Sequence, residues 1–230
     1  QKLGDISGDM ARPPRIEYEG AYYHVINRGV ERRRIFGGEQ DFGKFLDICG
    51  KVKLRHRVFL HAYCLMPSHF HLFIRTMGSK LRKFMHELGG EYARYFNRKY
   101  GRVGPLFQGR YRSLVVQDDA HALDVLRYIH LNPVKVGLAQ SPGGYRWSSY
   151  GEYTGEGVPT VADTDEMLEY FGPGAAARVR RFQEFTVDGM KSDFNPEKDA
   201  KGGVVVGGGE FLEWLKREKM PRKRHGGMAR

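Results

Sequence analysis

Cysteine is scarce in this chain: its 230 residues include only Cys49 and Cys64. Two cysteines cannot build the framework of several disulfides that holds small secreted domains together, and they cannot supply a four-cysteine zinc site. Both stand among apolar residues, as is typical of buried thiols. The cysteine content therefore favours a protein of a reducing cytoplasm.

Long hydrophobic runs are also missing. No stretch approaches the 18 or more apolar residues of a membrane span, and no signal-peptide pattern is visible at the start. Residues 1–9 look like a segment upstream of a natural start at Met10, so the fold argument begins there. The length allows one large domain, or one domain of about 150 residues with an extension.

Acidic residues are outnumbered. The chain has 38 Lys and Arg against 27 Asp and Glu, which gives a net charge of +11 and a pI near 9.6. Such an excess informs about partners rather than fold, and a polyanion is the natural partner. The alternative is a basic protein that is merely soluble, and only clustering of the charges would exclude it.

Apolar periodicity predicts a regular order of elements up to Pro133. The predicted strands cover residues 22–27, 58–66, 69–76 and 111–117, and the helices cover 41–55, 80–100 and 118–132. Ser79 or Lys80 opens the second helix, and Asp118 or Asp119 caps the third. The third helix should end near Asn132, because the residue before a proline is pushed out of the α region. This order predicts a ferredoxin-like split βαβ sandwich, an antiparallel sheet with helices on one face and the other face open.

Beyond Thr154 the pattern loosens into a glycine-rich, charged region. It predicts weak helices over residues 165–171 and 174–185, a short valine strand over 204–206 and a helix over 210–219. The basic tail, residues 216–230, is either a nucleic-acid arm or simply a solvated end. We expect a main domain over residues 10–154 and a mostly helical C-terminal extension over 155–230.

A pair of histidines, His69 and His71, opens the third predicted strand. Side chains two apart on a strand share a face, so both imidazoles point the same way while Phe70, Leu72 and Ile74 face the core. The pair predicts half of a divalent-metal site on the sheet surface. The alternative is two surface histidines without a ligand.

The third predicted helix carries Tyr128 and Asn132 one turn apart on the same face. If this helix packs near the histidines, Asn132 can supply an oxygen as a third ligand, and mixed nitrogen and oxygen ligands suit Mg²⁺ or Mn²⁺. Tyr128 would then lie beside a metal-bound phosphate as a nucleophile. A phosphotyrosine keeps the energy of the broken bond, so the strand can pass to a new 3′-OH. The alternative is a half-buried tyrosine on an amphipathic helix.

Several separated motifs together resemble one family, the REP-associated tyrosine transposases, which are single-tyrosine members of the HUH endonuclease superfamily. The resemblance covers residues 10–154. Its motifs are Met-Ala-Arg-Pro-Pro-Arg-Ile at 10–16, Tyr-His-Val at 23–25, Asn-Arg-Gly at 27–29, the histidine hairpin at 61–72, and the signatures at 104–111, 128–135 and 147–150.

This resemblance implies a catalytic domain over residues 10–154 with His69 and His71 as the metal pair, Tyr128 as the nucleophile and Asn132 as a further ligand. It implies a DNA-nicking and joining enzyme of the bacterial cytoplasm and nucleoid. The family makes a 5′-phosphotyrosine and frees a 3′-OH on single-stranded DNA near imperfect palindromes. One departure is Ser68, where the family usually has Asn. We expect this change to alter the turn and not the chemistry.

A DNA-binding surface is indicated independently by residues 91–113, where six basic residues meet one acidic residue and six aromatics. Basic groups bind phosphates and exposed aromatics stack on unpaired bases, which suits a single strand. Tyr92, Tyr95 and Phe96 lie at helical spacing and are expected to pack in the core. The predicted DNA contacts are Arg102, Arg110 and Arg112, together with Arg12, Arg15 and Arg28 from the segment that the resemblance places near DNA.

Two other classes of function stay open from the sequence. One is a repressor or RNA-binding module that keeps the fold without cleavage and uses His69 and His71 structurally. The other is a zinc hydrolase in which His61 joins His69 and His71. The sequence also leaves open whether the protein acts as a monomer or a homodimer.

Overall fold

The structure is a computed structural model that describes residues 16–78, 81–117, 119–157 and 161–219. Its strands are β1 (Tyr22–Arg28), β2 (Val58–Met66), β3 (His69–Thr76), β4 (Arg112–Val116) and β5 (Val205–Val206). Its α-helices are α1 (Glu39–His56), α2 (Leu81–Lys99), α3 (Asp119–Lys135), α4 (Tyr150–Thr154), α5 (Asp165–Glu169), α6 (Ala175–Asp188), α7 (Pro196–Asp199) and α8 (Gly209–Glu218). Short 3₁₀ turns cover Val30–Arg32, Pro142–Gly144 and Gly189–Lys191.

Several predictions fall outside the described residues. These are the segment 1–9 and the start at Met10, the DNA contacts Arg12 and Arg15, the helix start at Ser79 or Lys80, the cap at Asp118, and the tail beyond Lys219. Within the part of the chain that is described, no helix is long and apolar enough to cross a membrane. Cys49 and Cys64 are buried free thiols.

The five strands form one sheet in the order β2-β3-β1-β4-β5. The first four pair antiparallel in the ferredoxin-like arrangement that the sequence predicted, with β3 hydrogen-bonded between β2 and β1. The α+β fold class is therefore confirmed. One detail differs: β5, from the C-terminal extension, pairs parallel with β4 and makes the sheet mixed.

The first face of the sheet packs against α1 and α2. It is the face to which β3 sends Phe70, Leu72 and Ile74, all fully buried. The ring of Phe70 packs on Phe45 of α1 with centroids 4.9 Å apart. Strict alternation along β3 thus places one set of apolar side chains in a dry core. Tyr92 and Phe96 of α2 belong to the same core, as their helical spacing predicted.

The second face of the sheet is covered by α3, α4 and α6, so the expectation of helices on one face and an open second face is wrong. Helices α3 and α4 of the main domain lie on this face, and α6 of the C-terminal extension adds to the cover. Phe182 of α6 is fully buried and packs on Tyr153 of α4 at 4.7 Å. Phe182 thus gains burial by packing on the helices that lie on this face. The boundary at Thr154 itself stays a prediction.

Helix α3 continues through Pro133 to Lys135, so the expected end near Asn132 is wrong. A proline removes its own N–H and forfeits one helical hydrogen bond, but it still offers its carbonyl. Here the amide of Val136 donates to the carbonyl of Asn132 at 3.2 Å, and the amide of Leu138 donates to that of Pro133 at 2.8 Å. Gly137, with a φ of 73°, ends the turn in the left-handed conformation that glycine adopts without strain.

Candidate active site

The two histidines of β3 lie side by side on the second face. Their ring centroids are 5.1 Å apart, and the planes are nearly perpendicular at 79°. His71 is 2% exposed, whereas His69, at the start of the strand beside the Pro67-Ser68 turn, is half-buried. The two imidazoles share one face, as the alternation predicted, but one is buried and the other is accessible.

Each of these rings has a partner at Nδ1. The Nδ1 atom of His69 lies 3.3 Å from the Ser68 hydroxyl, and that of His71 lies 2.9 Å from Nε2 of His24 on β1. The two Nε2 atoms form no hydrogen bond to any residue that the structure describes. Both histidines thus have Nε2 left to serve as a metal ligand.

Burial keeps both rings neutral. It lowers the pKa of His69 to about 4, with Arg28 adding repulsion, and it holds the pKa of His71 well below its usual value. For His71, the neighbouring His24, His69 and Arg28 add to the effect of burial. A neutral imidazole is the form that binds a metal ion, so the pair is ready for one at neutral pH.

Helix α3 brings Tyr128 and Asn132 to the same cluster. The ring centroid of Tyr128 lies 6.0 Å from that of His71 and 5.9 Å from that of His24, and Tyr128 is 8% exposed. Burial raises the pKa of the Tyr128 phenol, while its hydrogen bond with the Asn132 side chain lowers it by less. The predicted metal pair, nucleophile and third ligand are therefore neighbours.

The C-terminal extension closes one side of this cluster. Phe194 meets the Tyr128 ring edge-on with centroids 6.3 Å apart, and the Lys135 ammonium lies 5.3 Å from the centre of the same ring. Lys135 also donates hydrogen bonds to the carbonyls of Ser192 and Phe194 at 3.0 and 3.2 Å. The surroundings of the phenol thus include residues more than sixty positions away in sequence.

A cavity of about 470 Å³ lies where β1, the loop before β4 and the extension meet. The histidines of the cluster do not line it, but Ile26 and Arg28 in its wall stand opposite His71 and His69 in the β1–β3 pairing. Arg28, Arg110 and Arg112 line it, together with Asn27 and Gln108. Arg112 pairs with the Glu197 carboxylate at 3.2 Å and donates to the Glu197 carbonyl at 3.1 Å. Three predicted DNA contacts therefore share one basic cavity.

Arg102 lies elsewhere. Its guanidinium packs over the Phe96 ring at 5.7 Å, and it is not among the residues that line the cavity. The loop that carries it leaves the end of α2 and is held by the Asn97 side-chain amide, which donates to the Gly104 carbonyl at 2.9 Å. The structure thus separates Arg102 from the other described arginines of the prediction.

The donor set fits a divalent ion of the kind predicted. Two neutral imidazoles with Nε2 available, and one amide that hydrogen-bonds the adjacent phenol, supply mixed nitrogen and oxygen ligands. No group of three or more His, Cys, Asp or Glu able to hold a metal occurs among the described residues. The three-histidine zinc site is therefore wrong. His61 lies at a register shift of β2, between Leu60 and Ala62, where its ring neighbours are Tyr22 and Phe73 and Glu166 is 3.6 Å away.

His24, Lys135, Phe194 and Glu197 are site residues that sequence reasoning missed. For His24 a signal exists, because alternation along β1 puts Tyr22, His24 and Ile26 on one face. Alternation alone does not say whether this face of β1 is the one that carries His69 and His71, because that depends on how β1 pairs with β3. Nothing in the local sequence of residues 192–197 indicates that they reach Tyr128.

Comparison with known proteins extends these observations. A structure described as "Structure of the REP associates tyrosine transposase bound to a REP hairpin" is similar to this chain with a TM-score of 0.53 and 17% identity, over 68% of this chain and 96% of that one. A Deinococcus radiodurans R1 protein described as a transposase is similar at a TM-score of 0.37 and 22% identity, over 53% of this chain and 95% of that one. No curated protein matches the chain.

The first of these likenesses establishes that the chain has the fold of a tyrosine transposase structure. The family model described as "Transposase IS200 like" matches residues 17–132, a span that contains the histidine pair, Tyr128 and Asn132. The chain therefore belongs to the IS200-like transposase family, whose members in general cut and join DNA.

Proposed function

We propose that this transposase is a metal-dependent endonuclease and strand transferase for single-stranded DNA, which cleaves near hairpin-forming palindromes through a 5′-phosphotyrosine. The observation that carries the proposal is the clustering of the Tyr128 phenol with His71, His69 and Asn132. These residues come from two separate elements, β3 and α3, and they lie together only because α3 packs on the second face of the sheet.

His69 and His71 would hold Mg²⁺ or Mn²⁺ through Nε2, and Asn132 would hold it through its side-chain oxygen. Such an ion, when bound, polarises a phosphate and favours the phenolate of a nearby tyrosine. The phenol oxygen of Tyr128 attacks phosphorus as the bond to the 3′-oxygen breaks; the phenol loses its proton and the leaving 3′-oxygen gains one. Attack by another 3′-OH reverses these steps and joins the strand.

The basic cavity supports DNA as the substrate. Arg28, Arg110 and Arg112 offer guanidinium groups for phosphates, and Asn27 and Gln108 offer amides for base edges. The similar solved structure is bound to a REP hairpin. We therefore propose a hairpin-bearing single strand as the partner, and the bacterial cytoplasm beside the nucleoid as the location. Both a monomer and a homodimer are compatible with the proposal.

Covalent capture tests the proposal. The protein is incubated with a labelled single-stranded hairpin oligonucleotide and Mn²⁺ or Mg²⁺, then denatured and separated on a gel. We expect a denaturation-resistant protein–DNA adduct that disappears in Tyr128→Phe and in the presence of a chelator. The control Tyr170→Phe changes an exposed tyrosine on the extension and should keep the adduct. Cleavage that persists in Tyr128→Phe would show that another group attacks the phosphate.

A second candidate is a DNA-binding protein without cleavage. The observation that favours it is the environment of Tyr128. Burial raises the pKa of the phenol, and Phe194 packs against its ring. This candidate predicts tight binding of the hairpin oligonucleotide with no adduct in either metal. The same experiment therefore separates the two functions.

A further inference from the structure

We propose that His24 is a positioning residue, which holds the ring proton of His71 on Nδ1 and so keeps the Nε2 lone pair of His71 available to a metal ion. The inference rests on the proposed function, because it takes His71 as a metal ligand. His24 itself need not touch the metal or the DNA. Its role would be exerted through one hydrogen bond.

The sheet places the two rings in contact. On the paired strands β1 and β3, His24 stands opposite Phe73 while His71 stands opposite Ile26, so the two histidines are diagonal neighbours on the second face. Their rings are nearly parallel, with a 19° angle and centroids 5.2 Å apart. Nε2 of His24 lies 2.9 Å from Nδ1 of His71, and both side chains are buried.

A hydrogen bond between two neutral imidazoles has two possible arrangements. In one, His24 donates from Nε2 and the proton of His71 is on its Nε2, which then cannot bind a metal. In the other, His71 donates from Nδ1 to the lone pair of His24, and Nε2 of His71 is free. Metal binding requires the second arrangement, in which His24 is the acceptor, and the proposed role of His24 is to favour it before the metal ion arrives.

The second arrangement puts the remaining proton of His24 on its Nδ1. That atom is buried and has no hydrogen-bond partner among the described residues. A buried donor without a partner is destabilising, and an apolar side chain of similar size would avoid this cost. The presence of a histidine at position 24 is therefore better explained by the hydrogen bond that its Nε2 accepts from His71 than by packing.

His69 offers an internal contrast. Its Nδ1 faces the Ser68 hydroxyl at the longer distance of 3.3 Å, on an accessible turn where water can replace the serine. The buried His71 has no such substitute. The tautomer of His71 should therefore depend on His24 far more than that of His69 depends on Ser68.

Three substitutions of His24 separate a hydrogen-bonding role from a packing role. In His24→Gln the side-chain amide lies about as far from the backbone as Nε2 of the native histidine, so it can accept a hydrogen bond from His71. In His24→Asn the amide lies only as far out as Nδ1 of the native histidine. His24→Leu keeps the volume and offers no acceptor. Thermal unfolding identifies variants that fail to fold. If His24→Leu fails to fold, the comparison of Gln with Asn decides the question.

The first readout is the tautomer of His71 in the metal-free protein, from the nitrogen chemical shifts of its ring. We expect the proton on Nδ1 in the wild type and in His24→Gln, and on Nε2 in an increased share of molecules in His24→Asn and His24→Leu. A wild-type His71 with its proton mainly on Nε2 would overturn the proposal. This readout needs neither metal nor DNA.

The second readout is the affinity for Mn²⁺, from the electron paramagnetic resonance signal of the free ion. We expect His24→Gln to bind within about threefold of the wild type, and His24→Asn and His24→Leu to bind about 10- to 100-fold more weakly. Unchanged affinity in His24→Leu would overturn the proposal. His71→Ala is the reference: if it binds Mn²⁺ as tightly as the wild type, His71 is not a ligand and the inference falls. A missing DNA adduct with normal Mn²⁺ binding would contradict only the proposed function.

Discussion

Strand β3 has two faces with different chemistry. To the first face it sends Phe70, Leu72 and Ile74, which are fully buried among the side chains of α1 and α2. To the second face it sends His69 and His71, which meet Tyr128 of α3. The same strand thus contributes to the apolar core on one side and to the candidate active site on the other.

Buried polar groups on the two sides of the sheet also differ in how many hydrogen bonds they form. On the first-face side, the buried carboxylate of Asp41 accepts hydrogen bonds from the Gly37 and Gly38 amides, the Tyr95 and Tyr100 hydroxyls and the Lys99 ammonium, at 2.6 to 3.2 Å. On the second face, Nδ1 of His24 and Nδ1 of His130 have no hydrogen-bond partner within the described residues. The Asp41 carboxylate, which stabilises the fold, is therefore fully hydrogen-bonded, whereas His24 beside the candidate site keeps one ring nitrogen without a described partner.

The largest effect should come from the first face. Replacing Phe70 by Ala removes a fully buried ring that packs on Phe45 and Phe107, and it leaves a cavity. We expect the free energy of unfolding to fall by about 4 kcal/mol in urea titrations. The control Phe59→Ala removes a ring that is 41% exposed on β2 and should cost much less. Equal losses in the two variants would contradict the division between the faces.

A somewhat smaller effect is expected for Asp41→Asn. Burial alone would raise the pKa of this carboxyl, but the hydrogen bonds from Lys99, Tyr100, Gly37 and Tyr95 lower it below its usual value. We expect the variant to lose about 3 kcal/mol of unfolding free energy at pH 7, because an ammonium and two phenols lose the buried carboxylate that accepts their hydrogen bonds.

The pH dependence of this loss follows from the sign of the shift. A carboxyl with a lowered pKa contributes stability fully above its unfolded pKa of about 3.9, and loses that contribution as the pH falls toward the folded value. Urea midpoints of wild type and Asp41→Asn measured from pH 7 to pH 3 should therefore converge at the acid end. A gap that stays constant over this range would show that the carboxylate charge is not the cause.

The smallest effect on stability should come from the second face. His69 is half-buried at the start of β3, so His69→Ala should change the unfolding free energy by less than about 1 kcal/mol. The same variant should bind Mn²⁺ at least about tenfold more weakly, since it lacks a proposed ligand. Isothermal titration and urea unfolding on one preparation measure both. A variant that loses stability but keeps Mn²⁺ affinity would assign His69 to the fold instead.

Much of the fold could be predicted because local patterns determine it. Alternation in residues 69–76 gave the two faces of β3 correctly, and the spacing of Tyr128 and Asn132 gave their common helix face. The bounds of β2 and β3 match the prediction because Pro67 and Ser68 fix the turn between them. These features need no knowledge of distant contacts.

The rest depends on contacts between distant parts of the chain. His24 meets His71 only through the β1–β3 register, and Phe194 meets Tyr128 only because the extension folds back over α3. Part of the cover of the second face has the same origin, since Phe182 of α6 joins the cluster on α3 and α4 from beyond the family motifs. The passage of α3 through Pro133 shows that a single lost hydrogen bond does not always end a helix.

Both outer edges of the four-stranded antiparallel part of the sheet, β2 and β4, are covered by later parts of the chain. Along β2, the amide of Leu65 donates to the Trp147 carbonyl at 2.8 Å and that of Ser149 donates to the Tyr63 carbonyl at 3.0 Å. Along β4, the amide of Gln117 donates to the Val206 carbonyl at 2.9 Å. Uncovered strand edges are templates for aggregation. During synthesis the four main strands are complete by Val116, but their edges stay unprotected until residues 147–149 and 204–206 leave the ribosome. A chain that ends between Asn132 and Trp147 already carries the proposed metal ligands and Tyr128, and we expect it to aggregate.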